Sequence, residues 1–199
     1  TRMRFNYSTF IDTIIEECHL CHAFLRSSVI RNSRIFLSCL EEADFSFSTK
    51  IENTKFDNVN LTRTIFSDVM LKSVEFYRCH AEEISFNAWR LDNVGGTSLE
   101  DCFFEDSELN FGWFNHNLKL EHTNFIRCNL CYGKFGFKTF NDSCYACDCG
   151  VNGLESDDSG WKCDAEVMEI DWFDINGHSR LWHEFEQQLH LPYTQYSHS

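Results

Sequence analysis

From Ile51 an apolar residue recurs at every fifth position: Ile51, Phe56, Leu61, Phe66, Leu71, Phe76, Ala81, Phe86 and Leu91. Neither the 3.6-residue period of a helix nor the two-residue period of a strand produces this series. The same step runs earlier through Phe5, Phe10, Ile15, Leu20, Leu25, Ile30, Ile35, Leu40 and Phe45. It returns in Leu99, Phe104, Leu109 and Phe114, and again in Leu120, Phe125, Leu130, Phe135, Phe140 and Tyr145. The phase slips only between these blocks, by one residue after Phe45, three after Leu91 and one after Phe114. A repeat this short and sustained demands a stack in which each unit buries its centre against its neighbours.

Two residues before the centres sit smaller side chains, such as Ser8, Thr13, Cys18, Ala23, Ser28 and Ser33, then Thr54, Val59, Thr64, Val69, Val74 and Cys79. On an extended backbone, residues two apart point to the same side. The three remaining positions are mostly polar and face water, Asp68 among them. One unit is thus a very short strand plus a bend. If four units close a turn, residues twenty apart stack, and Phe56, Phe66, Phe76 and Phe86 fall on alternate faces. Ile, Leu and Ala then hold the other two faces. A three-sided turn would scramble this alternation.

Stretches such as Phe56-Asp57-Asn58-Val59-Asn60-Leu61-Thr62-Arg63-Thr64-Ile65-Phe66 resemble the pentapeptide-repeat family. The resemblance implies an all-β solenoid, a right-handed quadrilateral β-helix of about seven coils over residues 1–150. The units are rich in Phe and Cys, which looks more like the topoisomerase-protecting resistance proteins than the regular cyanobacterial members. In such proteins a duplex-wide acidic rod is presented to the basic DNA-binding saddle of a type II topoisomerase.

The repeat weakens in one place. Ile84 and Trp89 are large where the small inward residue belongs, and Asp92-Asn93-Val94-Gly95-Gly96-Thr97-Ser98 follows with a glycine pair suited to a tight turn. An outward bulge is expected between about residues 87 and 98, with Asp92, Asn93, Gly95 and Gly96 either a functional loop or a tolerated insertion.

After Gly150 the five-residue step disappears. Residues 151–199 carry ten acids against Lys162 and Arg180. Residues 178–190 read as a helix with Leu181, Trp182, Phe185 and Leu189 on one face and Pro192 at its end. Together with Trp172 and Phe173, this face would cap the open end of the coil or join two copies in a homodimer.

Composition narrows the function. The net charge of −14 disfavours direct nucleic-acid binding. No apolar run is long enough for a membrane helix, and the segment from Thr1 has no apolar leader. Eleven cysteines without a framework spacing are expected to be reduced, which places the chain in the cytoplasm. Cys128-x-x-Cys131 followed by Cys144-x-x-Cys147 has zinc-like spacing, but the repeat turns Cys128 inward and Cys131 outward. No metal, cofactor or catalytic residue is therefore assigned. An interior filled by its own side chains leaves no substrate pocket, so the chain is not expected to be an enzyme.

Function should then lie outside. Glu100, Asp101, Glu105, Asp106 and Glu108 occupy outward positions, as do Phe103, Phe111 and Trp113. Clustered charge beside exposed aromatics is the composition of a protein-binding face. The expected partner is a protein, DNA gyrase or topoisomerase IV, guarded against a toxin or antibiotic. The alternative is a scaffold or effector module binding another protein through the same face. A glycosylated luminal domain, using the sequons at Asn6, Asn60 and Asn141 and paired cysteines, ranks last.

Overall fold

The computed structural model describes residues 2–87, 96–114 and 118–135, and short strand pieces at 145–147, 149–150, 155–156 and 167–168. Within them the five-residue units wind into a four-sided parallel solenoid. The first face is six parallel strands: Thr9–Ile11, Val29–Arg31, Lys50–Glu52, Met70–Lys72, Ser98–Glu100 and Lys119–Glu121. The second holds seven: Ile14–Glu16, Arg34–Phe36, Lys55–Asp57, Glu75–Tyr77, Phe103–Glu105, Asn124–Ile126 and Tyr145–Cys147. Single bridges build the third face through His19, Cys39, Asn60, His80, Glu108 and Asn129. The fourth runs through Arg4, Phe24, Asp44, Ile65, Ser85 and Trp113, then on to Lys134.

Each side is so short because each unit turns a corner. Among the described residues, the one two after each centre takes a left-handed backbone conformation: φ is 50° at Asn32, 54° at Asn58 and 53° at Asp101. Asn and Asp tolerate this region, but Leu37, Arg63 and Tyr132 adopt it too, at roughly 1–2 kcal/mol each. The corner amides offset that strain by bonding to the next coil, as in Asn32 N to Glu52 O at 3.1 Å and Asn58 N to Tyr77 O at 2.9 Å. Side chains add a ladder at the first corner. Asn53 Nδ2 donates to Asn32 Oδ1 at 3.3 Å, and Asn32 Nδ2 donates to Asp12 Oδ1 at 3.1 Å.

The inward positions fill the rod. Phe56, Phe76, Phe104 and Phe125 stack on the second face with ring centroids 5.0, 4.5 and 4.8 Å apart. Phe45, Phe66, Phe86 and Phe114 form the opposite column at 4.8, 5.4 and 5.0 Å. The columns meet edge to face, with Phe66 against Phe76 at 85° and Phe86 against Phe104 at 88°. Faces one and three contribute aliphatic columns: Ile30, Ile51, Leu71, Leu99 and Leu120, and Leu40, Leu61, Ala81, Leu109 and Leu130.

Besides Ala, Val and Cys, the small inward residues include many Ser and Thr, polar for a reason. Their hydroxyls satisfy carbonyls that the tight corners leave inside. Thr64 Oγ1 donates to Leu40 O at 2.9 Å, and Ser107 Oγ to Glu105 O at 2.9 Å. Ile84 breaks the size rule, and Gly112 one coil on compensates. A Cβ at Gly112 would lie 2.8 Å from Leu109 O, 2.9 Å from a Phe114 ring carbon and 3.5 Å from Ile84 Cγ2.

Several expectations need correction. Leu71 pairs with Leu99, so Leu99 and not Leu91 continues the first-face column, and the extra length there is a single large insertion. Phe125 pairs with Ala146, which makes Ala146 and not Tyr145 the centre of its unit. Asp68 is only 7% exposed, because the corner that holds it is closed over by Thr97, whose Oγ1 accepts from Asp68 N at 2.9 Å. Cys21 and Cys39 are joined in a disulfide, so the cysteines are not uniformly reduced. They lie diagonally on adjacent coils of the third face, with Cα atoms 5.6 Å apart. The bulge residues Asp92, Asn93 and Gly95 lie outside the described residues. So do the helix expected at 178–190 and its face of Trp172, Phe173, Leu181, Trp182, Phe185 and Leu189.

Phe66→Ala and Phe76→Ala should each destabilise the rod by about 3–5 kcal/mol in urea titrations, because rungs bonded on both sides cannot collapse into the void. Lys50→Ala, at an exposed strand position, should change stability by less than about 0.5 kcal/mol. Gly112→Ala should cost about 1–3 kcal/mol, from the overlap with Leu109 O and the Phe114 ring.

Candidate partner-binding surface

Outward side chains are fixed by their place in the unit. Glu100 and Glu105 follow their centres, Asp101 and Asp106 are corner residues, and Glu108 precedes its centre, so one coil carries all five acids around three faces. Every one of them meets a basic side chain from a neighbouring coil. Lys72 Nζ donates to Glu100 Oε1 at 2.6 Å, and His80 Nδ1 lies 2.8 Å from Glu108 Oε2. His122 Nδ1 is 3.4 Å from Asp101 Oδ1. Arg127 spans a corner, bonding Asp106 Oδ1 at 2.6 Å and also Glu105. The Lys72 hydrogen bond holds the Glu100 carboxyl below its ordinary range, and the Arg127 hydrogen bond does the same for Asp106. The acids form a paired lattice, whose field is weaker than five free carboxylates would produce.

The aromatics separate from the acids. Phe103 is half-buried on the second face. Phe111 is the corner residue between the third and fourth faces and Trp113 follows on the fourth, 47% and 46% exposed. Phe111 stacks on Tyr132 with centroids 5.1 Å apart and planes 12° off parallel. Lys134 Nζ sits 5.1 Å from the Trp113 ring centroid. Tyr132, 46% exposed, completes this patch. Its signal was present in the repeat, since Tyr132 follows Leu130 by the same two residues that separate Phe111 from Leu109.

A second cluster carries no sequence motif. On the second face Arg34 lies 4.6 Å over the Phe36 ring and Arg78 lies 4.4 Å over Tyr77. Asp57 stands between the two arginines, bonding each at 2.8 Å. Burial pushes the Asp57 carboxyl up, but the hydrogen bonds from Arg78 and Arg34 outweigh it and hold the group below its ordinary value.

At the bulge, Gly96 is exposed and Thr97 is pinned inside, its Oγ1 donating to Phe66 O at 3.1 Å. The thiols are mostly structural. Burial pushes Cys79 and Cys102 up to about 12, far from a reactive thiolate. Cys128 is buried and Cys131 is half-exposed, so the two sulfurs of that pair lie on opposite sides of the wall. Among the described residues no group of three or more His, Cys, Asp or Glu side chains could hold a metal ion. Among them, too, no helix is long and apolar enough to cross a membrane.

No protein-family description matches the sequence, and no curated protein matches it. Solved structures do align with the fold. Full-length QnrB1, a plasmid-mediated fluoroquinolone resistance protein, is 16% identical, with 76% of this chain and 87% of that one covered at a TM-score of 0.32. Rfr23, a pentapeptide repeat protein from the cyanobacterium Cyanothece 51142, is 12% identical, with coverages of 75% and 84% and a TM-score of 0.32. HetL, a pentapeptide repeat protein involved in heterocyst differentiation regulation from Nostoc sp. strain PCC 7120, is 14% identical, covering 80% and 94% at 0.23. With scores this low, the assignment rests on the chain's own register. Five-residue units, four faces and parallel stacked coils make it a pentapeptide-repeat β-helix.

Asp57 makes stability depend on acidity. Its folded carboxyl titrates below its unfolded value, so its contribution is present above about pH 4 and is lost as pH falls through the lower folded value. Asp57→Asn should lower the melting temperature at pH 7 and flatten the acid limb of a stability profile. Addition of a chelator should leave the melting temperature of the wild-type protein unchanged. Loss of one zinc per chain together with stability would overturn the structural reading of the cysteines.

Proposed function

We propose that this protein is a non-enzymatic, cytoplasmic protein-binding rod that engages a type II topoisomerase such as gyrase and shields it from a toxin or antibiotic. The observation that carries the binding role is the exposed Phe111–Tyr132 stack beside Trp113, on a rod whose interior is closed. Large aromatics exposed together are the anchors around which protein interfaces form. The acidic balance and elongated stack support a partner with a basic, DNA-binding surface. The carboxy-terminal segment serves in this reading as a cap or as the seat of a homodimer.

The paired state of the acids favours a second reading, a scaffold for a partner that is not a DNA-binding enzyme. Glu100, Glu105 and Asp106 spend much of their charge on Lys72 and Arg127 of neighbouring coils. Binding by that scaffold would depend on the aromatic patch and hardly on salt.

Gyrase supercoiling with and without a poison, in the presence of the rod, separates the two. Protection that fades as the Debye length shrinks from about 10 Å at 0.1 M salt to about 3 Å at 1 M supports the topoisomerase reading. Trp113→Ala should speed dissociation roughly tenfold or more as an anchor residue, with circular dichroism unchanged. No effect of the rod on gyrase at any salt concentration would leave the scaffold.

A further inference from the structure

The edge between the third and fourth faces changes character along the rod. Its corner residues, one per coil, are His22, Glu42, Arg63, Glu83, Phe111 and Tyr132. Before Glu83 the charges are answered. Arg63 pairs with Glu41 and with Glu42, the latter at 3.0 Å, and His22 Nδ1 lies 2.8 Å from Glu42 Oε2. After Glu83 the aromatic patch begins. Glu83 directly precedes Phe111 in this column, its amide donating to Asn110 O at 3.0 Å. Its exposed neighbour Glu82 accepts from Asn110 Nδ2 at 3.1 Å. Among the described residues no basic side chain forms an ion pair with Glu82 or Glu83.

Beside the corner the wall steps. Ser85 is the small residue between Ile65 and Trp113 in the fourth-face column, so the indole rises over a short side chain. Two exposed carboxylates thus border the exposed rings of Phe111, Trp113 and Tyr132. The two nearest basic groups are committed elsewhere, Arg63 to Glu41 and Glu42, and Lys134 to the Trp113 ring.

Charge decides what can cover this edge. Residues 151–199 carry ten acids against Lys162 and Arg180, and a second copy brings a net charge of −14. Either would carry acids toward Glu82 and Glu83. A basic segment of another protein satisfies the carboxylates and the rings together. Arginine fits better than lysine, because its guanidinium is flat, weakly hydrated and able to stack on a ring while bonding a carboxylate through two N–H groups.

Resting on the binding role given to the aromatic patch above, we propose that this edge is an arginine-reading site. A guanidinium from a basic partner segment packs against Phe111, beside Tyr132 and Trp113, and pairs with Glu83, with Glu82 as a further acceptor. The site lies apart from the paired acids Glu100, Glu105 and Asp106 and does not need them.

The test titrates the whole chain with a capped Gly-Arg-Gly-Arg-Gly peptide, followed by amide shifts in heteronuclear NMR. Shifts should centre on residues 83, 111, 113 and 132. Peptides carrying lysine, or the neutral arginine analogue citrulline, should bind at least about fivefold more weakly. Glu83→Gln and Phe111→Ala should each weaken the arginine peptide about fivefold. Glu75→Gln, on the second face, should leave it unchanged, with circular dichroism constant throughout. Equal binding of the arginine and citrulline peptides would overturn the site, as would shifts centred on another face or full affinity in Glu83→Gln. Gyrase protection without any preference among the peptides removes the arginine site alone. A preference for arginine without any effect on gyrase supports the site and removes the topoisomerase alone.

Discussion

Two phenylalanine columns that lock edge to face hold this rod in register. Within each column the rings repeat at the spacing of the parallel strands that carry them, so ring stacking and backbone hydrogen bonding demand the same rise per coil. Across the rod, Phe66 and Phe76 meet edge to face, and Phe86 and Phe104 do likewise. A coil shifted by one residue would turn its phenylalanine out to water and leave both columns gapped. The interior is consequently full, and recognition falls to the wall.

The corners decide what that wall presents. A left-handed residue closes each side, and extra residues are tolerated only where they do not disturb the inward columns. Three of the length irregularities lie at one edge of the square, between the fourth and first faces: Phe45 to Ile51, Phe86 to Leu99 and Phe114 to Leu120. The columns resume unchanged after each. Insertions gathered on one edge leave the other three straight, and the straight edges are where the side-chain ladders run. Asp12, Asn32 and Asn53 occupy one edge, and Phe111 and Tyr132 another.

Stacking also governs the charges. Residues about one coil apart in sequence are neighbours in space, so acids are answered by bases from adjacent coils, as with Arg127 for Glu105 and Asp106, and Arg63 for Glu42. These pairs are exposed and individually weak. Their larger effect is on recognition, because they turn an acidic sequence into an alternating surface and leave the unneutralised feature of the fifth coil to its aromatics. Asp57 differs: enclosed between Arg34 and Arg78, it ties three coils together.

The sequence by itself determined the period, the four faces, the phenylalanine columns and the outward direction of Glu100, Asp101, Glu105, Asp106, Glu108, Phe111 and Trp113. All of these follow from position within a five-residue unit, which is local information. Only the tertiary structure decided what each outward side chain meets. Leu91 looked like a centre because it continues the five-residue step, yet the first-face column is continued by Leu99, since only the stack fixes which residue partners Leu71. Asp68 looked exposed until Thr97, from beyond the insertion, closed over it. Cys21 and Cys39 share no motif, but a separation two short of a twenty-residue coil makes them diagonal neighbours. Partners one coil away depend on the exact count of residues between them, and every insertion resets that count, so contacts between coils emerge only when the chain has been wound.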